Sequence, residues 1–319
     1  MKKLLLITLL IVTIFKLNAQ EQKQYFDNGN LKSSGQNNKN GDRTGEWKEY
    51  HENGELESIG EYINGQKTRR WRFYYSNGQL KKLGQYVYQS EKKFQWQYYY
   101  ENGELESIGE YGDNEQKVRE WNYYGINGKL TFKFYTENGE EKEFSDLSLK
   151  EIKEYYDSGN LKTKGHIFPI SKVRYGEWKT YHENGELAGS INIFEGKIMG
   201  LVKWYSENGE LITTEVYSSD KRNGISKTYF GNGQLAIIGE FNFDLQSGKW
   251  KFYHENGNIK QILLWDEGKL MEVLISKDKN GNDLDKGTIT NGNGIIKSYD
   301  TDGVLVGETK IINGIVEQE

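Results

Sequence analysis

Four histidines are the first residues of this 319-residue sequence that could do chemistry. His51, His182 and His254 each begin a His-Glu-Asn-Gly segment, which looks like the opening of a zinc-protease motif. That motif needs a second histidine at its fifth position, on a helix that turns both imidazoles to one face. Here the fifth residue is Glu or Asn, and Asn-Gly indicates a turn. We therefore interpret these three as turn residues and His166 as an ordinary strand residue, and we predict no metal site.

Paired carboxylates are the second candidate for chemistry, because a glycosidase uses two carboxyl groups that converge on one cleft. The pairs recur at a fixed place beside Asn-Gly, so we expect them on separate solvated turns: Glu52 and Glu55, Glu101 and Glu104, Glu183 and Glu186, and Glu207 and Glu210. The segment from Asp278 to Asp283 hints at a calcium loop, but Gly281 is fourth in it, whereas an EF-hand needs glycine at the sixth position. We find no phosphate-binding loop, nucleophile elbow or dinucleotide fingerprint. The sequence predicts a non-enzymatic protein without a cofactor.

The elements that carry these residues are tandem repeats of about 24 residues, each with a glycine at a tight turn. About 12 repeats fill the chain, and their turn glycines are Gly29, Gly54, Gly78, Gly103, Gly128, Gly159, Gly185, Gly209, Gly233, Gly257, Gly281 and Gly303. We number positions from this glycine. Position −7 is tryptophan in six repeats: Trp47, Trp71, Trp96, Trp121, Trp178 and Trp250. Asn-Gly between two apolar, aromatic runs is a strong hairpin signal. The sequence thus predicts an all-β, elongated array of antiparallel hairpins in a single twisted sheet.

The phasing also predicts which residues meet across each hairpin. If the tyrosine at −4 lies opposite the leucine at +2, the tryptophan at −7 lies opposite +5, as in Trp47 and Ile59. Tyr–Leu and Trp–Ile pairs would then occupy opposite faces of the sheet. A glycine is frequent at +6, for example Gly60, and we expect it to leave space for a ring of the next hairpin.

The N-terminus has the form of a secretory signal peptide, residues 1–19. Lys2 and Lys3 precede the apolar run from Leu4 to Phe15, and cleavage is expected after Ala19. The run is short for a membrane-spanning anchor. We expect an exported protein in the periplasm, outside the cell or at its surface, with a repeat domain over 20–319. It has no cysteine for a disulfide framework.

The net charge disfavours some classes of partner, and the distribution of basic residues indicates a candidate interaction surface. Removal of the three lysines of the signal changes the net charge from −5 to −8, which disfavours nucleic acid and strong binding to a membrane surface. The Asn-Gly turns are acidic, and the opposite turns carry basic residues that form our candidate interaction surface: Arg43, Lys67, Arg69, Arg70, Lys92, Lys93, Lys117, Arg119, Lys172, Arg174, Lys221 and Arg222. Such margins either prevent edge-to-edge aggregation or recognise an anionic partner.

Two regions depart from the repeat. Residues 131–155 stretch the spacing and could form a short helix or a distorted hairpin, so we expect a kink there. The repeats over 270–319 lose the Trp at −7 and, in the repeat of Gly281, the Tyr at −4, as expected of units that cap an array.

The repeats resemble the MORN repeat variant, with a consensus like G-x-W-x-x-Y-x-x-N-G-x-L-x-x-x-G-x-Y. Gly45-Glu46-Trp47 through Tyr62, and Gly176-Glu177-Trp178 through Leu187, match it best. The resemblance implies an interaction scaffold, and related bacterial chains are labelled YwqK-type antitoxins. We therefore expect an exported scaffold that binds a protein or surface glycan, with an antitoxin or immunity protein as the alternative.

Overall fold

The computed structural model describes residues 21–137, 140–143 and 149–317, so the predicted signal peptide lies outside the described residues. The chain divides into two compact units between Lys93 and Phe94. Within the described part, secondary structure consists of strands and two single 3-10 turns, Tyr88–Ser90 and Asp113–Glu115. No helix among these residues is long and apolar enough to cross a membrane. The predicted all-β hairpin-repeat fold is confirmed.

The N-terminal unit is an antiparallel sheet whose strands follow one another in sequence order. Its strands are β1 (Gln22–Tyr25), β2 (Leu31–Asn37), β3 (Arg43–Tyr50), β4 (Leu56–Ile63), β5 (Gln66–Tyr74) and β6 (Leu80–Tyr86).

The C-terminal unit contains three antiparallel sheets. The central sheet consists of β7 (Lys92–Tyr99), which begins just before the division, β8 (Leu105–Tyr111), β9 (Lys117–Tyr124), β10 (Leu130–Glu137) and β11 (Glu140–Glu143). The long sheet consists of β12 (Lys150–Tyr155), β13 (Leu161–Ile167), β14 (Arg174–Tyr181), β15 (Leu187–Phe194), β16 (Lys197–Ile198), β17 (Gly200–Tyr205), β18 (Leu211–Ser218), β19 (Lys221–Arg222), β20 (Gly224–Tyr229), β21 (Leu235–Asn242), β22 (Leu245–Tyr253), β23 (Ile259–Asp266) and β24 (Lys269–Ser276). The terminal sheet consists of β25 (Gly294–Tyr299), β26 (Leu305–Ile312) and β27 (Ile315–Val316).

The turn glycines lie where the repeat predicts, between paired strands, with Gly281 as the exception. Gly281 closes a turn beside the isolated bridge Lys277–Asp283 and not a ladder. In the other turns only the glycine has positive φ, for example 87° at Gly54, and Asn53 does not. The asparagine acts through its side chain instead. Asn53 Oδ1 accepts the Glu55 N–H at 3.1 Å, and Asn53 Nδ2 donates to Ser76 O of the next turn at 2.7 Å.

The glycine at +6 makes room for a tryptophan of the following hairpin, as predicted. A Cβ at Gly60 would overlap the Trp71 ring, and Trp71 is fully buried. Its indole N–H donates to Glu61 O at 3.2 Å. Overlaps of the same kind join Gly35 to Trp47, Gly109 to Trp121, Gly165 to Trp178 and Gly239 to Trp250. The +6 glycine and the −7 tryptophan therefore fasten consecutive hairpins to each other.

The predicted register is correct at the tip of the hairpin and wrong by one residue beyond it. Tyr50 pairs with Leu56, but Trp47 pairs with Gly60 and not with Ile59. The cause is a β-bulge between Glu49 and Tyr50, which adds one residue to the second strand. The same shift recurs in other hairpins, where Trp71 pairs with Gly84, Trp96 with Gly109 and Trp250 with Leu263.

Position −9 has positive φ in most of the described repeats, with Lys150 and Glu272 as exceptions, which explains the glycine of the Gly-x-Trp segment. Gly248 has φ 70°, while Arg69, Phe94 and Arg119 adopt about 60° at the same position. We predict that Gly248→Val lowers the free energy of unfolding by about 2 kcal/mol, because a β-branched residue is strained there. An added Cβ at Gly248 has no atom within 4 Å, so the expected loss comes from backbone strain and not from a steric clash of the Cβ.

Urea denaturation should rank Gly248→Asn closer to the wild type than Gly248→Val, since Asn tolerates positive φ. Equal losses in the two variants would contradict the strain explanation.

The single continuous sheet that we predicted is not what forms in the C-terminal unit. The central sheet ends at β11 and the long sheet starts at β12. Side chains on one face of each sheet contact the other sheet. Gln95 Nε2 donates to Tyr217 O at 3.2 Å, and Lys203 Nζ donates to Gly128 O at 2.7 Å. The array therefore folds back on itself, because polar side chains on one face of each sheet satisfy the backbone of the other.

Residues 131–155 contain strands β10 to β12 and no helix in their described part, while 138–139 and 144–148 lie outside the description. The sheet changes there, where we expected a kink. At the other end, Ile289 and Ile311 join a core with Phe241, Trp250 and Val273. The degenerate C-terminal repeats thus cover the last long hairpins.

Candidate ring-face binding surface

The three turn histidines are structural links between hairpins. His51 Nε2 bonds to Tyr74 O at 3.0 Å, His182 Nε2 to Tyr205 O at 2.9 Å and His254 Nε2 to Lys277 O at 3.0 Å. Because a carbonyl only accepts, each Nε2 carries the proton and donates. Each acceptor lies one repeat further along the chain. His166 lies on strand β13, opposite Glu151 and Tyr175.

The carboxylates of the Asn-Gly turns lie on separate, mostly exposed tips. Glu104 differs, because Lys227 of the long sheet donates to its Oε1 at 2.7 Å and to Gly103 O at 3.0 Å. In the segment that resembles a calcium loop, Asp278 Oδ1 accepts the N–H groups of Asn280 and Asn282. The Asn282 side chain and these backbone N–H groups hold the pKa of Asp278 below its usual range. Asp278 is thus engaged in its own turn.

Several basic residues of the candidate surface cover aromatic rings, among them Arg43, Lys67, Lys117, Arg174 and Arg222. We call the face that bears the −7 tryptophans the ring face. Here the cation-to-centroid distances are 4.3 Å for Arg43 over Trp47, 4.4 Å for Lys67 over Trp71, 4.7 Å for Lys117 over Trp121, 4.2 Å for Arg174 over Trp178 and 3.9 Å for Arg222 over Phe241. A cation over a ring is favourable by about 0.5–2 kcal/mol. These five residues therefore lie over rings of the ring face.

The other seven basic residues have differing local surroundings. Arg69 pairs with Glu61 at 2.9 Å, and Arg119 pairs with Glu110 at 3.0 Å. Lys172 Nζ donates to Pro169 O. Arg70, Lys92 and Lys93 are half-buried, and Lys221 is exposed on β19.

The N-terminal unit shows how the ring face holds charge. Arg43 donates to Glu49 Oε1 at 2.6 Å and to the Tyr62 hydroxyl at 3.2 Å. Ser58 donates to Glu49 Oε2 at 3.0 Å. Burial favours the neutral acid, but the hydrogen bonds from Arg43 and Ser58 outweigh it and hold the pKa of Glu49 below its ordinary value. Burial also lowers the pKa of Lys67 nearby.

Glu49→Gln is expected to destabilise the protein at pH 7, and less so in acid. A carboxylate with a lowered pKa stabilises the fold above its unfolded pKa of about 4.3, and that contribution disappears as the pH falls through the folded value. Urea denaturation at pH 7 and below pH 4 should show the difference from wild type shrink in acid. A difference that does not vary with pH would contradict the ion pair.

The rings themselves form rows in which tryptophans are buried and tyrosines are half-exposed. In the C-terminal unit, Trp121 is 1% exposed and Tyr111 packs edge-on against it at 5.0 Å. Tyr123 stacks on Trp121 at 6.2 Å, and the Tyr98 and Tyr111 hydroxyls are 3.1 Å apart. The accessible ring face therefore consists of tyrosines and cations, while the tryptophans act as its floor.

The opposite face holds contact residues that we did not predict from the sequence. Gln95 and Gln97, at positions −8 and −6, are buried between the central and long sheets. Gln97 Nε2 donates to Asn223 O, Asn223 Nδ2 donates to Gln95 Oε1 at 3.3 Å, and the Tyr99 hydroxyl donates to Gln97 Oε1. Most other repeats place Lys, Arg or Glu at these two positions. The replacement of charged side chains by the neutral amides of Gln95 and Gln97 could have indicated that this face of the hairpin is covered by another sheet.

The MORN repeat variant family model matches nine segments of the chain: residues 21–36, 43–64, 70–88, 95–113, 150–167, 174–193, 200–218, 222–242 and 246–267. These segments cover more than half of the chain and coincide with the hairpins described above. A comparison with curated proteins gave no match.

Solved structures gave only distant similarities. A chain in the crystal structure of TcdB2-TccC3-Cdc42 is 13% identical with a TM-score of 0.21, covering 91% of this chain and 15% of its own length. A chain of the Photorhabdus luminescens Tc holotoxin pore is 12% identical with a TM-score of 0.21, covering 91% and 17%. Alternansucrase in complex with isomaltononaose is 13% identical with a TM-score of 0.16, covering 86% and 22%. This chain spans less than a quarter of each of these proteins, and scores of this size carry no argument.

The family matches and the hairpin geometry lead to the same classification. Repeated hairpins with tryptophan at −7 and Asn-Gly at the turn account for the matched segments and indicate a repeat-based binding or scaffold protein. The chain belongs to the MORN repeat variant family.

Proposed function

We propose that this chain is an exported, non-enzymatic scaffold that binds a protein or glycan partner through its ring face. The supporting observation is the half-exposed row of Tyr98, Tyr111 and Tyr123 with Lys117 over the rings of Trp121 and Tyr123. Tyrosine and cationic side chains over a buried tryptophan floor are typical of protein interfaces. Tyrosine also offers an apolar body with a hydroxyl at its edge.

Export is proposed from the signal sequence at 1–19, in the periplasm, outside the cell or at its surface. The absence of enzymatic activity is proposed because the turn histidines donate to backbone carbonyls and the carboxylate pairs lie on separate tips. The net charge argues against nucleic acid and against strong binding to anionic membranes.

The test compares the chain over 20–319 with the double variant Tyr98→Ala/Tyr123→Ala. In one assay each protein is immobilised and exposed to envelope extract, and the captured molecules are identified. In a second assay each soluble protein is applied to a glycan array, and the bound glycans are identified. The matched control is Glu183→Ala/Glu207→Ala, which changes two exposed tips of the long sheet. We expect one partner to bind the wild type and the control, and to bind the tyrosine variant at least about tenfold more weakly, the loss of roughly 1.4 kcal/mol. Equal binding to all three, or no partner in either assay, would contradict the proposal.

The identity of the partner separates the leading function from the alternative implied by the family resemblance. A captured protein with a toxic domain would favour an antitoxin or immunity role, and a structural envelope protein or a glycan would favour a scaffold.

A further inference from the structure

Four Asn-Gly tips of the C-terminal unit, at Asn184, Asn208, Asn256 and Asn280, fall into two classes that differ in one hydrogen-bond pattern. In the first class both the oxygen and the nitrogen of the asparagine side-chain amide form hydrogen bonds. Asn184 Oδ1 accepts the Glu186 N–H at 2.9 Å, and its Nδ2 donates to Glu207 O at 2.7 Å. Asn256 does the same with the Asn258 N–H at 3.0 Å and Lys279 O at 2.7 Å.

In the second class the residue at −3 takes over the role of the asparagine. Ser206 Oγ accepts the N–H groups of Asn208 and Glu210 at 3.3 and 3.1 Å. Asp278 Oδ1 accepts those of Asn280 and Asn282 at 2.9 and 2.8 Å. Within the described residues, the side-chain amides of Asn208 and Asn280 have no hydrogen-bond partner, so they are free to rotate.

The residue at −3 decides the class. Histidine at this position, as in His182 and His254, donates from its ring to the next hairpin and leaves the turn N–H groups to the asparagine. Serine and aspartate present a short acceptor that reaches those N–H groups first.

From this difference we infer that Asn208 and Asn280 are sites of spontaneous deamidation, and that Asn184 and Asn256 are protected. In the reaction the amide nitrogen of the following glycine attacks the asparagine Cγ. A C–N bond closes a five-membered succinimide, and the side-chain nitrogen leaves as ammonia with the proton of the glycine N–H. Water then opens the ring at either carbonyl, which gives aspartate or isoaspartate and one new negative charge.

The attacking group is the same in both classes, so the side chain alone makes the difference. Gly185 N–H donates to His182 O at 2.9 Å, and Gly209 N–H donates to Ser206 O at 2.9 Å. All four asparagines are exposed to the water that the second step consumes. Glycine has no Cβ to hinder ring closure. Rotation of the asparagine amide toward the glycine nitrogen breaks two hydrogen bonds in the first class and none in the second.

The experiment incubates the intact chain over 20–319 in mildly alkaline buffer and follows each tip by peptide mapping of its aspartate and isoaspartate. Asn208 and Asn280 should convert at least about tenfold faster than Asn184 and Asn256. The reason is that the protected asparagines must first break two hydrogen bonds, and the net free energy of two hydrogen bonds corresponds to a rate factor of that order. Similar rates at the four tips, or faster conversion at Asn184, would overturn the inference.

Exchanged residues at −3 provide the matched variants. Ser206→His should slow conversion at Asn208, and His182→Ser should accelerate it at Asn184, while Asn256 changes in neither. Thermal melting of each variant shows whether it is folded, and the comparison among wild-type tips stands without them. An unchanged rate at Asn208 in folded Ser206→His would overturn the role assigned to −3.

Discussion

Gly109→Ala is expected to lower the free energy of unfolding by about 2–3 kcal/mol, although alanine is ordinarily the better strand residue. The reason is the position of Trp121, whose ring occupies the space where the new Cβ would be. Trp121 is 1% exposed and is held by Tyr111 and by a 3.0 Å hydrogen bond from its Nε1 to Glu110 O. The ring cannot move away without losing these contacts.

Gly307→Ala is the matched control, because Gly307 is also in a strand, has no positive φ, and its Cβ would meet nothing within 4 Å. We expect a change within about 0.5 kcal/mol there. Urea denaturation of both variants measures the difference. Equal stabilities would show that the +6 glycine is not required by the ring of the next hairpin.

Lys133→Met should cost about 3–5 kcal/mol, the largest effect of a single substitution that we predict. Lys133 Nζ lies 2.8 Å from Glu120 Oε1, and both side chains are almost completely buried, at 8% and 2% exposure. The ammonium group also lies 5.7 Å from the ring centre of Tyr175 on the long sheet. Without the lysine, the Glu120 carboxylate is left in a buried site with no cation.

The double variant Lys133→Met/Glu120→Leu removes both charges and should recover most of the loss, because an ion pair replaced by apolar residues often costs little. Thermal or urea denaturation of the two variants gives the comparison. If the single variant were as stable as the double variant, the buried ion pair would have no role in holding the sheets.

Local features of the fold could be predicted from the sequence because they depend on residues within one repeat or in the next one. The hairpin phase, the pairing of Tyr50 with Leu56 and the space above Gly60 follow from residue types at fixed positions. The Trp47 partner was missed because a bulge at Tyr50 shifts the register, and nothing in the side chains marks it.

The fold-back could not be predicted from the period, since it depends on contacts between residues far apart in the sequence. Gln97 and Asn223 are 126 residues apart and meet between two sheets. The basic residues show the same limitation. The positions of Arg43 and Arg222 over the rings of Trp47 and Phe241 were not predicted. A one-dimensional repeat predicts neighbours along the array and cannot show which face a second sheet will cover.

The fold-back of the array buries one face of the central sheet and leaves its ring face accessible. Cross-linking of Lys129 to Lys203 with a short amine-reactive reagent, followed by mass spectrometry, tests it most directly. Lys203 donates to Gly128 O, next to Lys129, and burial lowers the pKa of Lys203, which favours its reaction. We expect this cross-link in the monomer. In one continuous sheet the two lysines would be roughly 30 Å apart by strand spacing, and absence of the cross-link from a reactive Lys203 would contradict the account.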